Sequence, residues 1–312
     1  MQIDDLKIIL KVAEFRSITA AATQLDMRTA TASAALKRVE KMLGAELFIR
    51  TTRQLRLSSA GERYIPQCEQ ALQLLEQARL NMQAEQDIVE GELRLAISSD
   101  LGRNLVIPWL DDFLASYPNV SLKINISDSN IDFYRDSVDI ALRYGSPDDA
   151  NLYGFKICNT PTILCATPEY LKKNSTPEHP EELSSHNGLF YQLFDIIHDT
   201  WKFTQNGTDY KIKMNGNRAS NDGDLVKRWC VAGHGLAVKS CLDMSTELLL
   251  GKVVNVMPEF KSSSTELWLV CPSRQSITPA VRLLRDYLRK KSKHILTKMI
   301  DKNILDTNVI TD

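Results

Sequence analysis

The stretch "RTATASAALKRVEKMLG", residues 28 to 44, constrains the fold most tightly. Ala32, Ala35, Leu36, Val39, Met42 and Leu43 recur at helical spacing and Gly44 supplies a stop, so the spacing predicts a helix. The rest of its surface is nearly bare, with Thr29, Ala30, Thr31, Ser33 and Ala34 in place of long side chains. A helix stripped in this way is suited to lying close against another surface.

Two further helical faces precede it. Leu6, Ile9, Leu10 and Ala13 form one, Ala21, Ala22 and Leu25 the other, and only "DMR" separates the second helix from the third. Two short helices joined by a tight turn, the second carrying basic residues, make a helix-turn-helix pattern. The major groove of DNA, about 12 Å wide, admits a helix whose facing side chains are short or hydrogen-bonding. Arg28, Thr29, Thr31, Ser33 and Lys37 are therefore the candidates for contact with base edges and phosphates. Two alternatives stay open: Thr29 or Thr31 caps the helix, and Lys37 is a solvated charge.

Charge supports a polyanionic partner for this end of the chain. Residues 1 to 65 hold eleven Lys and Arg against seven Asp and Glu, a net of +4, whereas residues 66 to 92 carry −5; the whole chain is near neutral at −1. After Gly44, "LFIRTTRQLRLS" alternates and sets Arg50, Arg53 and Arg56 around a polar tip, which predicts a two-stranded wing touching phosphate or the minor groove. "SAGE", Ser59 to Glu62, fits a capping box that opens a long helix. Along it Tyr64, Cys68, Ala71, Leu75, Ala78 and Met82 repeat in heptads, a stripe for pairing with a second copy of the chain or for packing on its own domain. Pro66 removes one hydrogen bond near its start and predicts a bend.

From Glu92 the periodicity changes. "ELRLAIS", "VSLKINIS", "DIALRYG", "PTILCA", "GLFYQ", "GLAVK", "KVVNVM" and "ELWLVC" read as strands; "NLVIPWLDDFLASYP", "DFYRDSV", 168–173, 222–232 and the segment from Thr278 onward read as helices; Asn206-Gly207 marks a hairpin. The alternation predicts a parallel α/β sheet arranged as two lobes that exchange strands, with a crevice between them for a small ligand. Ser98 and Ser99 precede a helix, where amides and hydroxyls bind carboxylates, and Arg143 suits the same anion unless it pairs with Asp139 or Asp148. Asn221, in "ASND", is a ligand contact or a helix cap.

Several classes are excluded. No apolar run is long enough to span a membrane and the N-terminus has no signal-peptide pattern, which predicts a cytoplasmic protein. The six cysteines at 68, 158, 165, 230, 241 and 271 lack metal or disulfide spacing. No phosphate loop, metal cluster or nucleophile elbow argues for an enzyme or a cofactor.

Residues 6 to 61, through "AEFRSITAAATQL", "SAALKRVEKMLGAELFIRT" and "LSSAG", resemble the LysR-type transcriptional regulators. "GELRLAIS", "YPNVSL", "VDIALRYG", "ATPEYL" and "CVAGHGLAV" extend the resemblance to about residue 290. It implies a winged helix-turn-helix over 1–58 that binds double-stranded DNA, a linker and dimerisation helix over 59–86, and a hinge at 87–91. A two-lobed effector-binding domain resembling periplasmic binding proteins follows over 92–295, with one lobe from 92–160 and 268–295 and the other from 161–267; a tail occupies 296–312. The resemblance also implies a homodimer, usually assembled into a tetramer, and an effector between the lobes lined by Ser98, Ser99, Asp100, Ser127, the strand carrying Arg143, and Asn221. The first turn, Arg28-Thr29-Ala30-Thr31, departs from the Ser-Gln-Pro-Ala common in that family. A cysteine switch using Cys165, Cys230 or Cys241 is the alternative to a ligand. The basic tail segment "RKKSKHILTK" is a solvated helix end or an added DNA or subunit contact.

Overall fold

The computed structural model describes residues 2–50, 55–83, 89–129, 131–133, 136–147, 149–193 and 195–309. The chain divides into two units, 1–86 and 87–312, each considered by itself.

The first unit is built from α1 (Ile3–Phe15), α2 (Ile18–Gln24), α3 (Thr29–Leu43), β1 (Phe48–Arg50), β2 (Leu55–Leu57) and α4 (Ser59–Gln83). Its core gathers Leu6, Ile9, Val12, Ala21, Ala32, Ala35, Leu36, Val39, Leu47, Phe48 and Ile65. Helix α1 touches α2, α3 and α4, so Ile8 and Val12 are buried as well as the predicted Leu6 and Ile9. Met42, placed on the core face by its spacing, is instead half exposed at the end of α3. Gly44 ends that helix in the left-handed region at φ 65°, its N–H donating to the Glu40 carbonyl.

Two carboxylates lock this unit. Asp5, buried in α1, takes a hydrogen bond of 2.5 Å from Arg38 of α3, and that guanidinium holds its carboxyl below the usual range. Glu40 reaches out of α3 to accept from the Leu47 and Phe48 amides at 2.8 and 3.3 Å, fixing the start of β1. The antiparallel pair β1 and β2 forms the predicted wing, with Ile49 opposite Arg56; its tip, 51–54, lies outside the described residues.

The cap of α4 sits one residue earlier than "SAGE" suggested. The Ser58 hydroxyl, not that of Ser59, accepts from the Gly61 amide at 3.0 Å and itself donates to the Glu46 carbonyl at 2.5 Å. Gly61 is required by close approach, since a Cβ there would collide with the Leu47 carbonyl oxygen. Gly61→Ala is expected to destabilise this unit by about 1–3 kcal/mol, the usual cost of overpacking. A thermal melt unchanged from wild type would show that wing and helix have room to separate.

In the second unit β3 (Gly91–Ile97) leads into α5 (Ser99–Leu101), which continues through a π-helical stretch, Gly102–Val106, into α6 (Ile107–Ser116). Then come β4 (Val120–Ile126), β5 (Ile140–Tyr144), β6 (Tyr153–Ala166), α7 (Pro168–Asn174), β7 (Leu189–Leu193) and β8 (Ile196–Ile197). β9 (Thr200–Gln205), β10 (Thr208–Lys213), β11 (Arg218–Ser220), α8 (Gly223–Val231), β12 (Ala237–Ser240) and α9 (Ser245–Leu249) follow. β13 (Val254–Asn255), β14 (Lys261–Ser262), β15 (Ser264–Cys271) and α10 (Pro279–Asp301) complete it.

The main sheet runs β12-β6-β15-β5-β3-β4, with β13 also on β6. It is mixed, not all parallel: β3 is parallel to β4 and β5, whereas β15 is antiparallel to β5 and β6, and β6 to β12. Among the described residues of "DFYRDSV", 132–133 and 136–138, none is helical, and the Asp136 N–H donates to the Asp132 carbonyl at 2.8 Å; 134 and 135 lie outside the described residues. The Asn206-Gly207 hairpin forms between β9 and β10, both residues at positive φ (51° and 79°).

The two lobes have separate cores divided by strand β6. Ile163 and Cys165 face the larger core with Leu95, Leu142, Leu267 and Leu284, while Leu164 and Ala166 face the smaller one with Phe190, Trp201 and Phe203. Alternate residues of one strand thus serve opposite cores. The basic residues Arg289, Lys290, Lys293 and Lys298 lie exposed on α10, while the same helix runs on through residue 296, with Leu296 and Met299 buried in the larger core and Ile304, Leu305 and Val309 packed beside it.

Candidate functional site

In the first unit, α3 is capped at Arg28, whose backbone carbonyl receives the Thr31 and Ala32 amides at 2.9 and 3.2 Å. Neither Thr29 nor Thr31 is the cap. Arg28, Thr29, Ala30, Thr31, Ala34 and Lys37 are exposed and Ser33 is half buried, while Ala32, Ala35, Leu36 and Val39 turn into the core. The helix therefore presents a surface of short side chains flanked by two cations. Arg38, beside them, is committed to Asp5. Arg56 is exposed on the wing. Arg50 belongs to β1, nothing is described of its side chain, and Arg53 lies outside the described residues.

The α4 stripe divides. Cys68 is buried and Tyr64 half buried against the core of the same unit, where burial pushes the Tyr64 hydroxyl up to about 12. Ala71, Leu75 and Ala78 are exposed, Leu75 at 52%; nothing is described of the Met82 side chain.

In the second unit a cleft of about 880 Å³ opens between the lobes. Its polar wall includes Ser98, Asp128, Arg143, Tyr191, His198 and Lys239, and Ile131, Phe133, Leu152, Val238 and Val270 supply apolar surface. Asp139 is taken by Arg94 in an ion pair of 2.8 Å, so it is not the partner of Arg143; Asp148 lies outside the described residues. The Nη2 of Arg143 is buried without a hydrogen-bond partner, as is the Ser98 hydroxyl. Burial lowers the Arg143 pKa, and the negative charge of Asp128 opposes that shift.

Asp100 lines the same cleft, Ser99 is not among its lining residues, and both are engaged internally. Asp128 accepts from the Ser99 amide (2.7 Å), the Ser99 hydroxyl (2.5 Å) and the Gly223 amide (2.7 Å), joining the starts of α5 and α8. The free amide expected at Ser99 is therefore occupied by the chain's own carboxylate. Asp100 pairs with Lys239 at 2.5 Å. Lys239 stands 3.8 Å from Asp243, whose carboxyl accepts from the Tyr144 hydroxyl at 2.6 Å; burial, and then the charge of Asp100, push the Asp243 pKa up. Lys227 bonds the Asp243 carbonyl at 2.5 Å and pairs with Glu247 at 3.0 Å.

Ser127 and Asn221 border a smaller recess of about 530 Å³, which shares Asp128, Ser129, Tyr191 and Leu193 with the main cleft. The Ser127 hydroxyl bonds that of Ser129 at 2.6 Å. Asp222, not Asn221, caps α8, accepting from the Asp224 and Leu225 amides at 2.9 and 3.1 Å. Asp222 also pairs with Arg103 at 2.9 Å, and Asn104 bonds Asp224 at 2.7 Å, so the α5–α6 segment and α8 are joined along one side of the cleft. Spacing gave no sign of Asp128 or of this seam, because its partners stand 29 to 125 residues apart.

Cys165, Cys230 and Cys241 are fully buried. Burial pushes the Cys230 and Cys241 thiols up to about 12, and Cys165 well above its ordinary value. Among the described residues no helix is long and apolar enough to cross a membrane, and no cluster of side chains fits a metal ion.

Two family models match the chain: the bacterial regulatory helix-turn-helix protein, lysR family, over residues 3–62, and the LysR substrate binding domain over residues 86–293. The regulator CrgA of Neisseria meningitidis is 31% identical over 287 residues, 91% of this chain and 95% of that protein. DmlR of Escherichia coli is 29% identical over 288 residues, 92% of this chain and 94% of that protein. Among solved structures, CrgA superposes with a TM-score of 0.60 at 27% identity, covering 93% of this chain and 99% of that one. The full-length Vibrio cholerae virulence activator AphB gives 0.57 at 25%, covering 92% and 98%. Across both units, then, the chain belongs to the LysR family: it is a regulator of transcription that binds DNA and effector ligands, not an enzyme.

Proposed function

We propose that α3 lies in the major groove with Ala30, Thr31 and Ala34 against base edges, Arg28 and Lys37 at a guanine or phosphates and Arg56 at the wing, and that a small anionic molecule held between the lobes controls the outcome. The observation that carries the ligand half is the cation Arg143, with a buried, unpartnered Nη2 facing a cleft of about 880 Å³ beside the equally unpartnered Ser98 hydroxyl. An unpaired buried polar group is costly, so a cleft that keeps two of them gains when a ligand satisfies them. The buried thiols, pushed away from the reactive thiolate form, favour a ligand over cysteine oxidation as the switch.

The exposed Ala71, Leu75 and Ala78 of α4 support pairing with a second copy, and two such dimers would make a tetramer on DNA in the cytoplasm. Ligand binding then shifts lobe geometry and so the way the dimers pair.

The DNA half is tested by Arg28→Ala and Lys37→Ala. Arg28→Ala is expected to weaken operator binding by about tenfold or more, the worth of one base contact. Lys37→Ala is expected to lower the slope of log affinity against log salt by about one unit, as the loss of one phosphate contact does. Unchanged affinity and slope in both variants, measured by fluorescence anisotropy, would place the reading surface elsewhere.

A further inference from the structure

The cleft already holds an anion of its own. Asp128 accepts from the first amides of α5 and α8, so the leading amide of each of these two helices is satisfied by the chain itself. Among the described residues no lysine or arginine lies within ion-pair distance of Asp128; its partners are neutral N–H and O–H groups. Deeper in, Lys239 is paired with Asp100 and Lys227 with Glu247. Arg143 is what remains: among the described residues, the one lysine or arginine lining the cleft without a hydrogen bond or ion pair. The surface beside it is largely apolar.

One unmatched cation faces a cleft that also carries Asp100, Asp128 and Asp243. A ligand with one negative group finds Arg143. Among the described residues a second negative group finds acids and no further unpaired lysine or arginine, and in a half-buried site that repulsion is weakly screened.

We propose that the cleft selects a small organic monoanion, one carboxylate or its equivalent held by Arg143 and Ser98 with an apolar body against Ile131, Phe133 and Val270, and that Asp128 is the residue that excludes a second anionic group. This rests on the reading of the cleft as the effector site. Removing the charge of Asp128 leaves the positive ends of two helices uncompensated and strengthens the field of Arg143, so a dianion gains more than a monoanion.

The test is calorimetric titration of the full chain with straight-chain and aromatic monocarboxylates, each paired with the dicarboxylate of the same skeleton. The wild type is expected to bind a monocarboxylate at least about tenfold more tightly than its dicarboxylate. In Asp128→Asn that preference should shrink severalfold or invert, and in Arg143→Ala binding of both should be lost. A wild type that takes the dicarboxylate equally well or better overturns the selection, and needs no variant. So does an unchanged preference in Asp128→Asn whose far-ultraviolet spectrum matches wild type. Binding that survives Arg143→Ala, or a wild type that binds no member of the series, overturns the reading of the site itself.

Discussion

Replacing Ala34 with glutamate is expected to reduce operator affinity by at least about 100-fold while leaving the fold intact. Ala34 is exposed, one turn from Ala30 and from Lys37, on the side of α3 opposite Leu36 and Val39. Glutamate is a good helix former and an exposed change away from special features costs within about 0.5 kcal/mol, so the melting temperature should hardly move. Against DNA the same side chain brings a negative charge between phosphates and keeps the helix backbone from the base edges. Like-charge contact at an interface costs several kcal/mol, and each 1.4 kcal/mol is about tenfold in affinity. Anisotropy titrations at fixed salt, beside a thermal melt, separate the two effects. A variant that binds as wild type would show that this face of α3 does not meet the groove.

Ending the chain after His294 is expected to unfold the effector-binding unit. Leu296 and Met299 are fully buried there, and Ile304, Leu305 and Val309 pack against the same core. Losing two buried side chains of this size costs roughly 2–5 kcal/mol each, against a total stability of about 5–15 kcal/mol. Met299→Asp should act in the same direction without shortening the chain, because it also buries an unpaired charge. A truncated chain that melts with wild type would show the last turns of α10 to be dispensable. The match to the LysR substrate binding domain stops at residue 293, so these turns extend the core past the part shared with the family model.

How far the sequence disclosed this molecule depended on the range of the interactions involved. The helix-turn-helix was legible because Ala32, Leu36 and Val39 repeat within one helix and Gly44 ends it, both local signals. The wing and the Asn206-Gly207 hairpin were legible for the same reason. Strand direction was not: alternation marks β15 as a strand, but its antiparallel place between β5 and β6 depends on residues more than a hundred positions away. At 132–133 and 136–138 the expected helix is not formed: a short stretch with two aromatics and scattered charges satisfies either pattern. In the cleft, Ser98 and Arg143 were found as types suited to an anion, but what sets them apart is lack of a partner, which only packing reveals. Asp128 carried no motif and sits where three chain segments meet.

The central claim is that α3 reads DNA through its face of short side chains. It is tested most directly by selecting DNA from a random duplex library with the full-length chain and sequencing what is retained. An enriched inverted repeat with half-sites one or more helical turns apart is expected, and no enrichment when the selection is repeated with Ala34→Glu. No shared sequence with wild type, or the same sequence recovered with Ala34→Glu, would contradict it.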